Sequence, residues 1–257
     1  MTEYLIQEET LTEMADAVRS KTGRLGEIVA LISDRSAFDT VSLPEGLTKI
    51  RAHAFDSCEN LSLTHLPESV TDIGEYAFQN CKKLALTTLP ENIADIKSYA
   101  FEGCVDLALT KLPEGVTGIG ISAFSNCGNL SLTDLPDSLN IIDRNAFHNC
   151  SSIKITAIPE NVIYIYENAF SGCSGITGLT IFGSDGNLLM IYDGAFSYCH
   201  NLTKVTFTRA VSRISENAFA NCENLVTINV PWGETSTLNI GSPWGATNAT
   251  INYNYSE

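Results

Sequence analysis

Eight cysteines recur with a fixed step and limit what this chain can fold into. They stand at Cys58, Cys81, Cys104, Cys127, Cys150, Cys173, Cys199 and Cys222, so successive gaps are 23 residues six times and 26 once. Ala-Phe pairs keep the same step from Ala54-Phe55 to Ala218-Phe219. Prolines keep it at Pro44, Pro67, Pro90, Pro113, Pro136 and Pro159, and the register returns at Pro231. Three columns sharing one period define an internal repeat, the mark of solenoids and related arrays.

In the unit from Cys81 to Gly103 the apolar residues are Leu84, Leu86, Leu89, Ile93, Ile96, Ala100 and Phe101. No single helix or strand keeps that uneven spacing on one face, but a coil that returns to the same wall every turn does. The stretch up to the proline is Thr-rich and β-like, whereas the Ala-Phe segment is too short for a long helix and suits a 3₁₀ or single α turn. These features predict a right-handed repeat solenoid of about eight coils. One wall would be a parallel β-sheet with coils stacked about 4.8 Å apart, and short 3₁₀ or α turns would lie opposite.

The pattern resembles the BspA-like, or Treponema-type, leucine-rich repeat over residues 35 to 231. That resemblance implies a leucine-rich-repeat fold and a binding rather than catalytic role. The units beginning at Cys173, Cys199 and Cys222 have its usual spacing, as in Leu202, Val205 and Phe207. The units from Cys58 to Cys150 move the middle apolar residue one place earlier, as in Leu61, Leu63 and Leu66. Strand faces alternate every residue, so the shift changes which side chains point outward and leaves the exposed columns of those five units open. An additional first unit carries Arg35 in the cysteine column, with Phe38, Val41, Leu43 and Pro44 in place.

Three regions follow: residues 1–34 as a helical cap or docking segment, 35–230 as the solenoid and 231–257 as an aromatic β cap. Thr10 and Glu13 form a capping box, Leu11, Met14, Ala15 and Val18 make one apolar stripe, and Gly23 can stop a helix over residues 10–23. A second apolar piece runs from Ile28 to Ile32. The segment Tyr4-Leu5-Ile6 with Thr10 to Gly23 resembles a leader of proteins from bacteriophages and prophages of Gram-positive bacteria. The ending, with Pro231-Trp232-Gly233, Pro243-Trp244-Gly245 and Ala249 to Tyr255, is similar to endings in the same class. These resemblances imply a virion-associated tail or host-attachment protein, the alternative being a bacterial cell-surface adhesin of the BspA type.

Charge narrows the partners. With 15 Lys and Arg against 30 Asp and Glu, the formal net charge is −15, which argues against nucleic acid and anionic membranes. No run of 18 apolar residues exists to span a bilayer. The acidic start, Glu3, Glu8 and Glu9, lacks the pattern of a secretory signal, so synthesis in the cytoplasm followed by virion association is expected, or cell-surface display. The partner would be a virion component, a host surface protein or a surface glycan, and self-association stays open.

Each chemical reading has a plainer competitor. The cysteines form one column without any Cys-x-x-Cys, which favours buried free thiols over disulfides or a metal site. The acids after each proline, Glu45, Glu68, Glu91, Glu114, Asp137 and Glu160, could collect Ca²⁺ but suit a solvated turn. Thr64, Thr87, Thr110, Thr133 and Thr156 fit β propensity. Beside them His65, Thr88, Lys111, Asp134 and Ala157 vary in chemistry, as a recognition surface would. Ser184 and Asp185 sit in the insertion Gly183 to Asn187, a protruding loop and candidate contact site. Trp232 and Trp244 are read as a cap, with an aromatic ligand platform as the alternative. His53, His65, His148 and His200 fall in different columns and no catalytic motif appears, so no enzyme activity, metal or cofactor is expected.

Overall fold

A computed structural model describes residues 27–28, 43, 45–183, 189–239 and 241–256. The helix expected over residues 10–23, residues 29–32, the unit headed by Arg35, Pro44, and Ser184 and Asp185 lie outside the described residues. The chain is a parallel β-solenoid of about nine turns with little helix, as the repeat predicts. Each coil divides into three short walls.

The first wall runs from the cysteine to the proline. In the later units it carries true strands: Gly178–Ile181, Lys204–Phe207, Thr227–Asn229 and Thr250–Asn252, all parallel, with Ala157–Ile158 beside the first of them. In the units of Cys58 to Cys127 no strand forms there among the described residues, although coils still bond, as from Ala85 N to Leu63 O (3.0 Å) and Ala108 N to Leu86 O (3.1 Å). The one-residue shift explains this. Leu63 and Leu66 are buried with Thr64 and His65 both exposed between them, which breaks the period-2 alternation a strand needs. In the unit of Cys199 the exposed pair is Thr203 and Lys204, and Val205 and Phe207 then alternate inward.

The second wall holds a ladder that sequence periodicity does not reveal. Two-residue strands at Lys49–Ile50, Asp72–Ile73, Asp95–Ile96, Gly118–Ile119, Ile141–Ile142, Tyr164–Ile165, Met190–Ile191 and Arg213–Ile214 stack in register, and Glu27–Ile28 pairs with the first of them. The ladder divides once, between Ile73 and Asp95. Every isoleucine at the second position from Ile50 to Ile214 is buried, and the residue before it faces solvent. The solenoid therefore has two strand-bearing walls rather than one sheet.

The third wall holds the Ala-Phe pairs, and it is not helical. In each coil from that of Phe55 to that of Phe196 two residues take positive φ, such as Tyr99 (60°) and Gly103 (70°), or Asn145 (55°) and Asn149 (59°). Left-handed residues stop a right-handed helix from propagating. Alternate amides bond within the turn, as Ala100 N to Lys97 O and Cys104 N to Phe101 O, while those between reach the next coil, as Tyr99 N to Ile121 O and Phe101 N to Ala123 O. Backbone donors on this wall are thereby satisfied without helix. The one regular 3₁₀ helix among the described residues is Thr237–Asn239.

Inside, eight phenylalanines from Phe55 to Phe219 stack with centroids 5.1–5.5 Å apart, unbroken across both kinds of unit. Each cysteine from Cys81 to Cys222 donates its thiol to the phenylalanine carbonyl of the preceding coil, as Cys127 Sγ to Phe101 O (3.0 Å). A thiol suits this place because it is small, apolar and a weak donor. All eight thiols are free and buried.

At the C-terminal end Trp232 and Trp244 gather around Phe207, with centroids 5.5–6.5 Å apart. An amide ladder accompanies the last strands: Asn252 Nδ2 donates to Asn229 Oδ1 (2.8 Å), and Asn229 Nδ2 to Thr206 Oγ1 (3.2 Å).

Candidate functional site

Once the packing columns are removed, what remains for function is the outward face of each wall. The column His65, Thr88, Lys111, Asp134 lies on the first wall just before the buried Leu-Pro corner, and all four side chains are exposed; Ala157 is half-buried. Local partners hold some of them: Thr64 Oγ1 lies 3.4 Å from His65 Nδ1, and Thr133 donates to Asp134 (2.9 Å). Lys111 Nζ is 3.6 Å from Glu91 Oε1, but both are mostly exposed and such a pair contributes little stability. The structure thus brings these four residues into one file along the solenoid. Trp232 and Trp244 are only 8% and 0% exposed, so their rings are engaged in packing rather than open to a ligand. The six acids after the prolines are exposed.

The second wall supplies a group that sequence reading passed over. Ile141, Tyr164, Met190 and Arg213 adjoin one another through strand register, and Tyr166 and Tyr192 follow two residues behind on the same face. Tyr166 stacks on Tyr192 (4.9 Å) and Tyr164 on Tyr166 (5.5 Å). Aromatic residues alternating with isoleucine, as in Tyr164-Ile165-Tyr166, were the available signal. A second stack, His53, Tyr76 and Tyr99, lines the third wall at 4.5–4.6 Å.

Among the described residues no three His, Cys, Asp or Glu side chains are placed to hold a metal ion. Burial pushes the Cys104, Cys127 and Cys173 thiols well above their usual pKa and Cys150 up to about 12, the opposite of an activated nucleophile. The neighbouring Cys222 together with burial raises Cys199 well above its usual pKa, and the neighbouring Cys199 lowers Cys222. His148 is held below its usual pKa by burial. No helix among the described residues is long and apolar enough to cross a membrane.

A stack of near-identical coils whose repeated residues all serve packing defines a repeat solenoid with long free walls. The sequence profile of the BspA type leucine rich repeat region (six copies) matches residues 33–154 and 119–241, and this chain belongs to that family. The solved leucine-rich-repeat protein of T. pallidum is 29% identical, covering 70% of this chain and 79% of its own, with a TM-score of 0.53. A leucine-rich cell surface protein of Faecalibacterium prausnitzii is 21% identical over 82% of this chain and 80% of its own (TM-score 0.36). Pneumococcal vaccine antigen PcpA is 18% identical over 82% and 72% (TM-score 0.40). No curated protein matches the chain.

Proposed function

We propose that this chain is a non-enzymatic recognition module of the adhesin type, displayed at a bacterial surface. The observation that carries the reading is the division of labour in each coil. Cys, Phe, Leu and Ile columns are buried, and the file beside them, His65, Thr88, Lys111 and Asp134, is exposed and differs in charge and size from coil to coil. An invariant frame with a variable outer file presents one-sided, extended contacts to a protein or a surface glycan, as solenoid walls do. Membership in the BspA-type family supports the surface placement. Ser184 and Asp185 extend the same reading to the inserted loop.

A second reading, a phage or prophage virion protein, is favoured by the terminal segments Tyr4 to Gly23 and Pro231 to Tyr255, which resemble those of phage-encoded proteins. Antibody against the chain separates the two. Labelling of intact bacterial cells is the expected result; labelling of virus particles with bare cells would transfer the protein to the virion. Turnover of a panel of glycans or peptides by the purified chain would overturn the non-enzymatic reading.

A further inference from the structure

The second-wall face from Ile141 to Arg213 differs in chemistry from the rest of its ladder. In the earlier coils the outward column reads Lys49, Asp72, Asp95 and Gly118, and the column two residues behind it reads Arg51, Gly74, Lys97 and Gly120. It is charged, with Lys97 and Lys49 paired to Asp72, or bare. From Ile141 onward it becomes apolar and aromatic at its centre, Ile141, Tyr164, Tyr166, Met190 and Tyr192, with Asp143 at one end and Arg213 and Ser215 at the other; Ile141 is 39% exposed. Arg144 and Arg213 close the two ends of the Tyr166–Tyr192 stack, their guanidinium carbons 6.0 and 5.8 Å from the ring centroids.

Tyr, Met and Arg are enriched in the cores of protein interfaces, and rings already locked by stacking lose little freedom on binding. The faces of Tyr166 and Tyr192 are covered by each other and by the two arginines, and the Tyr192 hydroxyl donates to Met190 Sδ (3.7 Å), while both residues stay partly exposed. A neutral sugar stacks on open ring faces and finds none on these two. Beside the tyrosines, Glu167, Asp193 and Glu216 follow one another in successive coils. Glu167 is held by Arg144 (2.9 Å), whereas the Asp193 and Glu216 carboxylates have no partner among the described residues. A net charge of −15 repels a second copy and any polyanion and attracts a basic protein.

We propose that the face formed by Ile141, Tyr164, Tyr166, Met190 and Tyr192 docks a basic protein, whose apolar side chains cover that centre while its Lys or Arg side chains meet Asp193 and Glu216. The assignment rests on the recognition-module reading and gives that module a second contact wall, separate from the His65 file.

The full chain is titrated by fluorescence anisotropy with three short labelled peptides, alternating Lys-Phe, Glu-Phe and Ser-Phe, and with labelled dextran as a neutral glycan. Tightest binding is expected for the Lys-Phe peptide, weakening as salt rises. The Tyr166→Ser/Tyr192→Ser variant should lose at least tenfold and Asp193→Asn/Glu216→Gln severalfold, while Glu45→Gln/Glu68→Gln, which removes the same charge from exposed turns of the early coils, binds as the parent does. No binding of the Lys-Phe peptide, preference for the Glu-Phe peptide or dextran, or unchanged binding by Asp193→Asn/Glu216→Gln would overturn the proposal. The last variant alters only surface carboxylates, so it decides the matter even where the tyrosine variant unfolds. Loss of this binding while antibody still labels intact cells would sink the docking face and leave the surface module standing.

Discussion

Between Leu63 and Leu66 the chain turns two neighbours outward, Thr64 and His65, whereas between Leu202 and Val205 the outward pair, Thr203 and Lys204, comes two places earlier. Both units obey the same 23-residue step and end on a buried apolar residue eight places after the cysteine. Only the middle apolar residue moves. That single move decides whether the first wall becomes a strand, because inward residues must sit two apart to share one face of a pleat. The unit of Cys150 joins the two kinds: it has the early spacing, Ile153 and Ile155, yet Ala157–Ile158 already pairs with Thr180–Ile181. The phenylalanine stack and thiol ladder pass through this junction unchanged, so the difference is confined to one wall.

The strongest challenge to that confinement is removal of a stacked ring from each half. Phe101→Ala and Phe196→Ala should each cost about 3–5 kcal/mol, read as loss of unfolding free energy in denaturant. A difference well beyond measurement error between the two would show that the halves are not built on a common core. Next comes a register swap, Leu109→Thr with Thr110→Leu, which moves the middle apolar residue of one early unit to the later spacing. Its neighbours keep the early register, so a loss of about 2–5 kcal/mol is expected. A swap without loss would mean each coil chooses its register alone.

A smaller effect concerns the left-handed column common to both halves. Asn126→Ala should cost about 1–2 kcal/mol because alanine is strained at φ 60°, and Asn126→Gly should recover it. The thiol ladder predicts a pH dependence. Burial raises the folded pKa of Cys150 from 9.0 to about 12, so its stabilising contribution is complete below pH 9 and is lost as pH rises toward 12. Denaturation midpoints should be lower at pH 11 than at pH 8, and Cys150→Ala should reduce that fall. At the far end Cys222, held below the usual thiol pKa beside Cys199, should react with a thiol reagent before Cys104 to Cys173 in the native protein. Earlier reaction at Cys127 would contradict the buried ladder.

The repeat frame was open to reading because its columns are chemically loud: a cysteine, a proline or an Ala-Phe pair marks each turn. Two features were quieter. The second-wall strands are two residues long, too short for period-2 alternation to register, and only the stacking of one coil on the next makes them strands. The third wall looked helical because it is short and turn-like, yet Asn80, Gly103, Asn126, Asn149, Gly172 and Asn221 directly precede their cysteines, all with positive φ. Asn and Gly recurring at one position is what a left-handed backbone selects, and that column was visible in the sequence. The file from His65 to Asp134 was found by its variability against a constant frame. The tyrosine face was missed because it spans three coils at positions where the earlier coils carry charge or glycine, so no column announces it.

Register has a consequence at the level of the gene. Coils of one spacing present the same contacts above and below, so within the early coils joining Ile96 directly to Gly120 removes one period and restores Phe, Cys and Ile columns across the seam. Unequal crossing-over between neighbouring repeats can therefore lengthen or shorten this protein in steps of about 4.8 Å without new folding solutions. The length of the walls and the chemistry they present become separately heritable: the first follows the number of coils, the second the few outward residues of coils left untouched.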